Sequence, residues 1–232
     1  MSPKITQIQD KFFKSIFSRK EIAIELFEKT LTQNIQTIID IEKIELVSGS
    51  FVSGKLKEYF ADLVYRCPLF EDGEVQIVLL LEHKSYQEDY PHFQLLQYFL
   101  NLWKQNTKQK QAPTFIIPII FYHGKTTWHY QRMQDYFAQT PKQLLHYLPI
   151  FDYNLIDLST MEDSQIEGFK NSFLAVSAFL LKYHHLKNYI KLKEDAFVKL
   201  MKKIDIEQDT ELSESIFVYV QETNSLTKKR TF

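Results

Sequence analysis

The sequence predicts an α/β fold in which a mixed β-sheet is flanked by helices and followed by a mainly helical C-terminal part. Two observations predict it. Residues 57–65, 75–83 and 115–122 form short, apolar runs of the kind found in buried strands. A helical pattern that begins at Pro91 separates the second run from the third, and this order favours a parallel crossover.

Composition limits the classes of protein to consider. The chain has 232 residues and is 44% hydrophobic, which is enough for one sizeable core. Its formal net charge of −1 gives no bulk attraction to nucleic acid. The single cysteine, Cys67, excludes an internal disulfide and a cysteine-based zinc cage. The N-terminus has no apolar secretory core, and the longest apolar run, 115–122, cannot span a bilayer. We therefore expect a cytoplasmic protein with no membrane partner.

The first half of the chain predicts helices and then a hairpin. Apolar residues recur at helical spacing within residues 10–40. Residues 57–65 and 75–83 are the strand candidates, and the turn between them is Glu71-Asp72-Gly73-Glu74. The second run is apolar on both faces for most of its length, so we expect it at the centre of the sheet.

Pro91 suits the first turn of a helix, which we expect to end near Gln105 before a loop. The apolar positions assigned to this helix are Phe93, Leu96, Tyr98, Leu100 and Trp103. Pro118 lacks a backbone N–H, so it predicts an edge position or a bulge in the strand over residues 115–122.

Beyond Gly124 the pattern is mostly helical, and residues 154–158 are the one additional strand candidate. The expected helical segments are residues 133–137, 141–148, 164–204 and a tail from 213. We divide the chain into a core over residues 1–160 and a helical extension over residues 161–232, packed on or beside that core. No linker-like composition marks the boundary.

The candidate site lies at the ends of the hairpin strands. Asp62 stands within one apolar run, and a buried carboxylate is costly unless it is paired or binds a metal. Glu82 and Lys84 end the other run, where the period of 2 places them on the same side. Two adjacent strands would hold all three side chains on one face. The alternative is a surface salt bridge between Glu82 and Lys84.

These residue types suit phosphodiester hydrolysis. Asp62 and Glu82 supply the hard oxygen ligands that Mg²⁺ prefers, with Mn²⁺ as a substitute. The backbone carbonyl of His83 would complete the metal shell, and the ammonium of Lys84 would orient water or stabilise charge on phosphate. Gln94 and Gln97, on the following helix, are accessory candidates.

Several segments, in this order along residues 8–160, resemble the recombination-promoting nuclease (Rpn) family, whose members are also described as transposases. They are Asp10-Lys11-Phe12-Phe13-Lys14, Ala61-Asp62-Leu63-Val64-Tyr65, Leu81-Glu82-His83-Lys84-Ser85, Phe93-Gln94-Leu95-Leu96-Gln97-Tyr98 and Pro118–Gly124 with Trp128. The resemblance implies a restriction-endonuclease-like core of the PD-(D/E)xK kind and Mg²⁺-dependent DNA endonuclease activity linked to recombination.

The sequence departs from the family's pattern at two positions. Lys84 stands where family members often have Gln, and Gln9 stands where a His is expected before Asp10. Asp10 is therefore either an accessory residue of the site or a helix N-cap.

The sequence thus predicts a metal-dependent DNA endonuclease with DNA as its partner. It leaves open whether the protein forms a homodimer. The alternative is a catalytically weak or inactive nuclease-fold module that binds DNA or a protein. A transposase with three catalytic acids is disfavoured because no convincing third acid is present. His123 is interpreted as a strand-end turn residue, and His184 and His185 as surface or groove residues.

Overall fold

A computed structural model of the chain describes residues 3–47, 60–82, 89–186, 188–205 and 209–228. Its five strands form one mixed sheet in the order β1-β2-β3-β4-β5. The strands are β1 Glu45–Leu46, β2 Phe60–Pro68, β3 Glu74–Glu82, β4 Phe115–Tyr122 and β5 Asn154–Asp157. The first three strands pair antiparallel, and β3, β4 and β5 pair parallel. The predicted α/β class, the central position of β3 and the crossover before β4 are confirmed.

The helices of the described residues cover both faces of this sheet. The α-helices are α1 Pro3–Phe17, α2 Lys20–Thr30, α3 Gln33–Gln36, α4 Pro91–Lys108, α5 Asp163–Glu167, α6 Ser172–Tyr183, α7 Tyr189–Leu192, α8 Glu194–Met201 and α9 Thr210–Lys228. Within the described ranges, three short 3₁₀ helices span Ile41–Lys43, Met133–Phe137 and Lys142–Tyr147.

The β2–β3 hairpin closes at the predicted turn. Leu69 donates its backbone N–H to the carbonyl of Gly73 (3.0 Å), and Gly73 has φ +113°, a region that favours glycine. The pairing then runs without interruption from Pro68 opposite Glu74 to Phe60 opposite Glu82. This continuous register fixes which positions of the two strands share a face.

The prediction for Pro118 is wrong in part. β4 is an interior strand, and its register with β3 has no bulge at Val78, the partner of Pro118. The pairing with β5 begins only at Ile119, opposite Asn154. Pro118 therefore tolerates its missing N–H because the strand has no β5 neighbour at that residue.

Alternate residues of the sheet pack into two separate hydrophobic cores, one on each face. Leu63, Tyr65, Ile77, Ile119 and Phe121 belong to the larger core, which includes residues of α1, α2, α6, α8 and α9. We call this side of the sheet the helical face. The opposite side, which we call the α4 face, consists of Val64, Val78, Leu80, Ile116, Ile120 and Tyr122, packed against α4, Trp128 and Tyr153.

The predicted apolar positions of α4 are partly wrong. The helix begins at Pro91 as expected but extends to Lys108, three residues beyond Gln105. Its buried residues are Pro91, His92, Leu95, Tyr98, Phe99, Leu102 and Asn106. Phe93 and Leu100 are about half exposed, at 46% and 49%. The apolar pattern therefore follows two sides of this helix, and only one of them is buried.

The predicted helical stretch over residues 164–204 is divided into four helices. One interruption follows Gly168, which ends α5, and another lies at Asn188, whose φ of +56° is left-handed. Leu174, Leu200 and Ile216 join the larger core together with residues of α1 and the sheet. The proposed division at residue 160 stays a prediction, and the C-terminal helices pack on the helical face.

Candidate functional site

The backbone register places the two predicted carboxylate positions on the same face. Position 62 lies opposite Leu80, and position 82 lies opposite Phe60 at the end of the pairing. Because side chains alternate along a strand, positions 62, 80 and 82 share one side, the α4 face. Their side chains, and Lys84 and His83 altogether, lie outside the described residues.

Helix α4 covers this face and carries the two predicted glutamines. Tyr98 is buried against the sheet, and Gln94 lies one turn earlier on the same side of the helix. The Gln94 side-chain oxygen is buried and has no hydrogen-bond partner among the described residues. Gln97 is exposed. The structure therefore directs Gln94, and not Gln97, towards the buried side of α4.

Asp10 lies well inside α1, so the predicted N-cap alternative is wrong. It is half-buried, one turn before Phe13, whose ring centroid is 5.5 Å from that of Phe121 near the end of β4. Helix α1 packs on the helical face, whereas positions 62 and 82 belong to the α4 face. An accessory role for Asp10 stays a prediction.

The carboxyl ends of β4 and β5 add residues that the sequence interpretation did not assign to the site. Tyr122 is opposite position 82, and its ring meets Trp128 edge to face at 5.0 Å. Asp157, at the end of β5, accepts the backbone N–H of Trp128 (2.9 Å) and of Ser159 (2.8 Å). The Trp128 indole N–H donates to the Tyr153 hydroxyl (3.0 Å). Asp157 thus holds Trp128 against the α4 face.

A buried histidine follows at the start of α4. His92 is fully buried, and its Nδ1 lies 2.6 Å from the Tyr136 hydroxyl. Burial lowers the pKa of His92, although the Phe151 carbonyl and nearby acids act in the opposite direction. Burial also raises the pKa of Tyr136 to about 12. Both shifts favour the neutral forms of the two side chains, and sequence spacing does not indicate the pair because residues 92 and 136 are far apart along the chain.

A histidine pair lies at the carboxyl end of β4, on the side of the sheet opposite to the α4 face. His123 is buried, and its ring centroid lies 4.7 Å from that of His184 at the end of α6. His185 is half-buried, and burial followed by the charge of Lys125 lowers its pKa. The interpretation of His123 as a simple turn residue, and of His184 and His185 as surface or groove residues, did not foresee that α6 brings these histidines together with the end of β4.

The donor chemistry at positions 62 and 82 fits a hard divalent cation. Diagonal positions in an antiparallel pair are roughly 7–8 Å apart, a span that Asp and Glu carboxylates can bridge through one shared ion. The buried oxygen of Gln94 adds a polar group on the helix that faces them. Within the described residues, no group of three His, Cys, Asp or Glu side chains is placed to hold a metal.

Comparison with known proteins places the chain in a family. The model of a family described as "Putative transposase, YhgA-like" matches residues 7–223. The chain belongs to this family. The match includes both strands of the hairpin, α4 and most of the C-terminal helices. The resemblance inferred from the sequence segments is thereby confirmed.

Named relatives come from Escherichia coli. The chain is 24% identical over 163 residues to Recombination-promoting nuclease RpnD of strain O157:H7, covering 68% of this chain and 61% of the relative. It is 27% identical to RpnA of strain K12 over 161 residues, covering 68% and 54%. A third K12 relative, 23% identical and covering 68% and 52%, is named Inactive recombination-promoting nuclease-like protein RpnE.

These relatives are longer than the segment they share with this chain, which spans about half to three fifths of their length. No solved structure matches the chain. Among the described residues, no helix combines the length and the apolar character needed to cross a membrane.

Proposed function

We propose that this family member is a metal-dependent DNA endonuclease that hydrolyses phosphodiester bonds, with Mg²⁺ or Mn²⁺ held by Asp62 and Glu82. The observation that carries the proposal is the β2–β3 register, which assigns both positions to one face at the open end of the hairpin. The names of relatives such as RpnD and RpnA, which are nucleases, support the reaction class.

Each residue of the proposed site has a distinct role. Asp62 and Glu82 bind the cation through carboxylate oxygens, and the His83 carbonyl completes the shell. When bound, such a cation lowers the pKa of a coordinated water and neutralises charge on the phosphate. The Lys84 ammonium donates hydrogen bonds to the phosphate oxygens or to the attacking water. From its position on α4, Gln94 orients the phosphate or the attacking water.

A second candidate function is an inactive nuclease-fold module that binds DNA or protein. The observation that favours it is the presence among the relatives of RpnE and a second protein whose names call them inactive. Both candidates use the same fold, so the difference between them depends on the chemistry at positions 62, 82 and 84.

Nicking of supercoiled plasmid separates the two candidates. We expect the wild-type protein to nick DNA with Mg²⁺ or Mn²⁺ and to be inactive in EDTA. Glu82→Gln and Asp62→Asn should each lower the rate at least about 100-fold, because a catalytic cation supplies several kcal/mol of charge stabilisation. Lys84→Ala should lower it while leaving metal binding intact, as measured by titration with Mn²⁺.

Glu74→Gln is the matched control. Glu74 begins the same strand, is exposed and lies at the opposite end of the hairpin. This variant should nick at the wild-type rate. Equal nicking by wild type and Glu82→Gln would contradict the assignment of the site. Binding of DNA with no metal-dependent nicking by a folded protein would instead establish the inactive module.

A further inference from the structure

An exposed aromatic stack stands at the start of α4, the helix that covers the face of the candidate site. The rings of Tyr90 and Phe93 are nearly parallel, with an interplanar angle of 12° and centroids 5.2 Å apart. They are 48% and 46% exposed. Large aromatic side chains that are half exposed and stacked on each other offer outer ring faces to a planar ligand.

Two inner side chains, Tyr136 and His92, support the stack. The Tyr136 ring meets Tyr90 edge to face at 5.2 Å and Phe93 at 5.7 Å. The Tyr136 hydroxyl is hydrogen-bonded to the buried ring of His92, which also contacts Tyr153 at 5.2 Å. Because both exposed rings pack against Tyr136, and Tyr136 is hydrogen-bonded to the buried His92, the stacked arrangement exists before any ligand binds.

A continuous series of contacts joins the stack to the end of the candidate catalytic strand. Tyr153 accepts the indole N–H of Trp128, Trp128 contacts Tyr122, and Tyr122 is opposite position 82. The stack and position 82 therefore belong to the same carboxyl-end edge of the sheet. A strand that is cut beside Glu82 and extends along this edge would reach the stack.

A cleft of about 490 Å³ adjoins the rings. Its lining residues are Asp89, Tyr90, His129, Gln131, Asp135 and Tyr136. The acids disfavour a phosphate but can accept hydrogen bonds from the amino groups of a nucleobase. Asp135 already accepts the backbone N–H of Arg132 (2.9 Å), which leaves Asp89 as the main acceptor. The Arg132 guanidinium also pairs with Asp135 (3.3 Å).

We propose that Tyr90 and Phe93 form a stacking platform for an unpaired nucleobase close to the cleavage site, and that Asp89 accepts a hydrogen bond from its amino group. The inference rests on the proposed DNA function and deepens it: the substrate has a single-stranded or unpaired segment beside the scissile bond. Amino-bearing bases, of which cytosine is one, bind better than thymine. Stacking itself tolerates any base.

The test is a binding measurement that needs no cleavage. Fluorescence anisotropy in EDTA compares a blunt hairpin duplex with the same duplex carrying a three-nucleotide tail of cytosines, thymines or abasic sites. We expect the cytosine tail to increase wild-type affinity and the abasic tail to leave it unchanged. Phe93→Ala should weaken binding of the cytosine tail roughly fivefold to 150-fold, the range found when a base-stacking aromatic is removed.

Variants on the same helix and cleft make the test specific. Phe93→Tyr keeps the ring and should bind as wild type. Leu100→Ala, the matched control, removes a similarly exposed apolar side chain two turns away on α4 and should also bind as wild type. Asp89→Asn should reduce the preference for cytosine over thymine about fivefold or more, because its amide presents one acceptor and loses the charge.

The outcomes separate the two proposals. A base-dependent tail effect that is lost in Phe93→Ala supports the platform, even if plasmid nicking is absent. Nicking by wild type without any base-dependent tail effect overturns the platform and leaves the nuclease intact. Equal losses in Phe93→Ala and Leu100→Ala would overturn it, as would a Phe93→Ala effect on self-association in sedimentation with unchanged DNA binding, which would indicate a protein interface.

Discussion

The two faces of the sheet differ in how they are covered. The helical face is packed by residues from α1, α2, α6, α8 and α9, and most of its described sheet residues are apolar. The α4 face is covered by α4 together with Trp128 and Tyr153. It includes buried polar groups of Gln94 and His92. The first face therefore provides most of the stabilising apolar burial. Both faces hold buried polar groups, such as Glu25 on the helical face and Gln94 on the α4 face, so we place the candidate chemistry on the α4 face because the β2–β3 register assigns positions 62 and 82 to it.

Adjacent isoleucines of β4 test this difference directly. Ile119 packs on the helical face and Ile120 on the α4 face, and both are almost fully buried. We expect Ile119→Ala to lower the free energy of unfolding by about 4 kcal/mol and Ile120→Ala by about 2–3 kcal/mol, because α4 alone can shift to fill a cavity more easily than several interlocked helices. Chemical denaturation measures both. Equal or reversed losses would contradict the comparison.

Glu25 is a buried acid of the helical face and should show the next largest effect. Its carboxylate accepts the backbone N–H groups of Lys170 (2.6 Å) and Asn171 (2.8 Å), just before α6. Glu25→Ala should cost about 2–3 kcal/mol, since the amides at this helix start lose a charged acceptor. Thermal unfolding of Glu28→Ala, an exposed position on the same helix, provides the control and should change little.

Gly124 tests the packing of the α4 face. A Cβ added there would overlap the Tyr122 hydroxyl oxygen, and Tyr122 is fully buried against Trp128. Gly124→Ala should therefore cost about 1–3 kcal/mol and change the Trp128 fluorescence. In Gly168→Ala the added Cβ would lie 3.3 Å from the Ser164 carbonyl oxygen, a much milder contact, so this variant should lose clearly less stability than Gly124→Ala. Similar losses in both variants would argue against a tight contact at Tyr122.

The smallest expected effect concerns the pH dependence of the C-terminal helices. Burial raises the pKa of Asp163, but hydrogen bonds from Tyr183, Lys182 and Lys193 outweigh it and hold that pKa at about 2. A depressed folded-state pKa stabilises the fold above the unfolded value near 4, and this stabilisation is lost as pH falls towards 2. The contribution is about 1 kcal/mol after solvent screening.

The measurement is the melting temperature at pH 7, 4 and 2.5. Asp163→Asn should lower it at pH 7, and its difference from wild type should shrink as the pH falls below 4. Asp195→Asn, an exposed position on α8, should show no such convergence. A constant difference between wild type and Asp163→Asn across this range would contradict the assignment.

Local signals explain what the sequence could predict about the fold. Gly73 within an acidic turn and two apolar runs predict the β2–β3 hairpin, and the period of 2 then assigns positions 62 and 82 to one face. The helical stretch over residues 164–204 was predicted without its breaks, because Gly168 and Asn188 interrupt an apolar pattern that otherwise continues. The sequence predicts an edge position or a bulge at Pro118, because sequence alone does not show where β5 begins to pair.

Prediction from the sequence is more limited for the surroundings of the candidate site than for the fold. The apolar residue Phe93 was counted as a core position of α4, whereas the structure exposes it beside Tyr90. His92 and Tyr136 become partners only because the 3₁₀ helix Met133–Phe137 returns to the start of α4. Sequence spacing carries no information about contacts of this kind, since they depend on how distant segments meet.

The thiol of Cys67 can report how often the β2–β3 hairpin opens. The thiol is fully buried in β2, and burial together with the charge of Asp40 raises its pKa to about 11. At neutral pH a thiol reagent can therefore modify it only while β2 separates from its neighbours. Since the same strand carries Asp62, any cation that joins Asp62 to Glu82 will slow this labelling, and the sole sulfhydryl of the chain will report it.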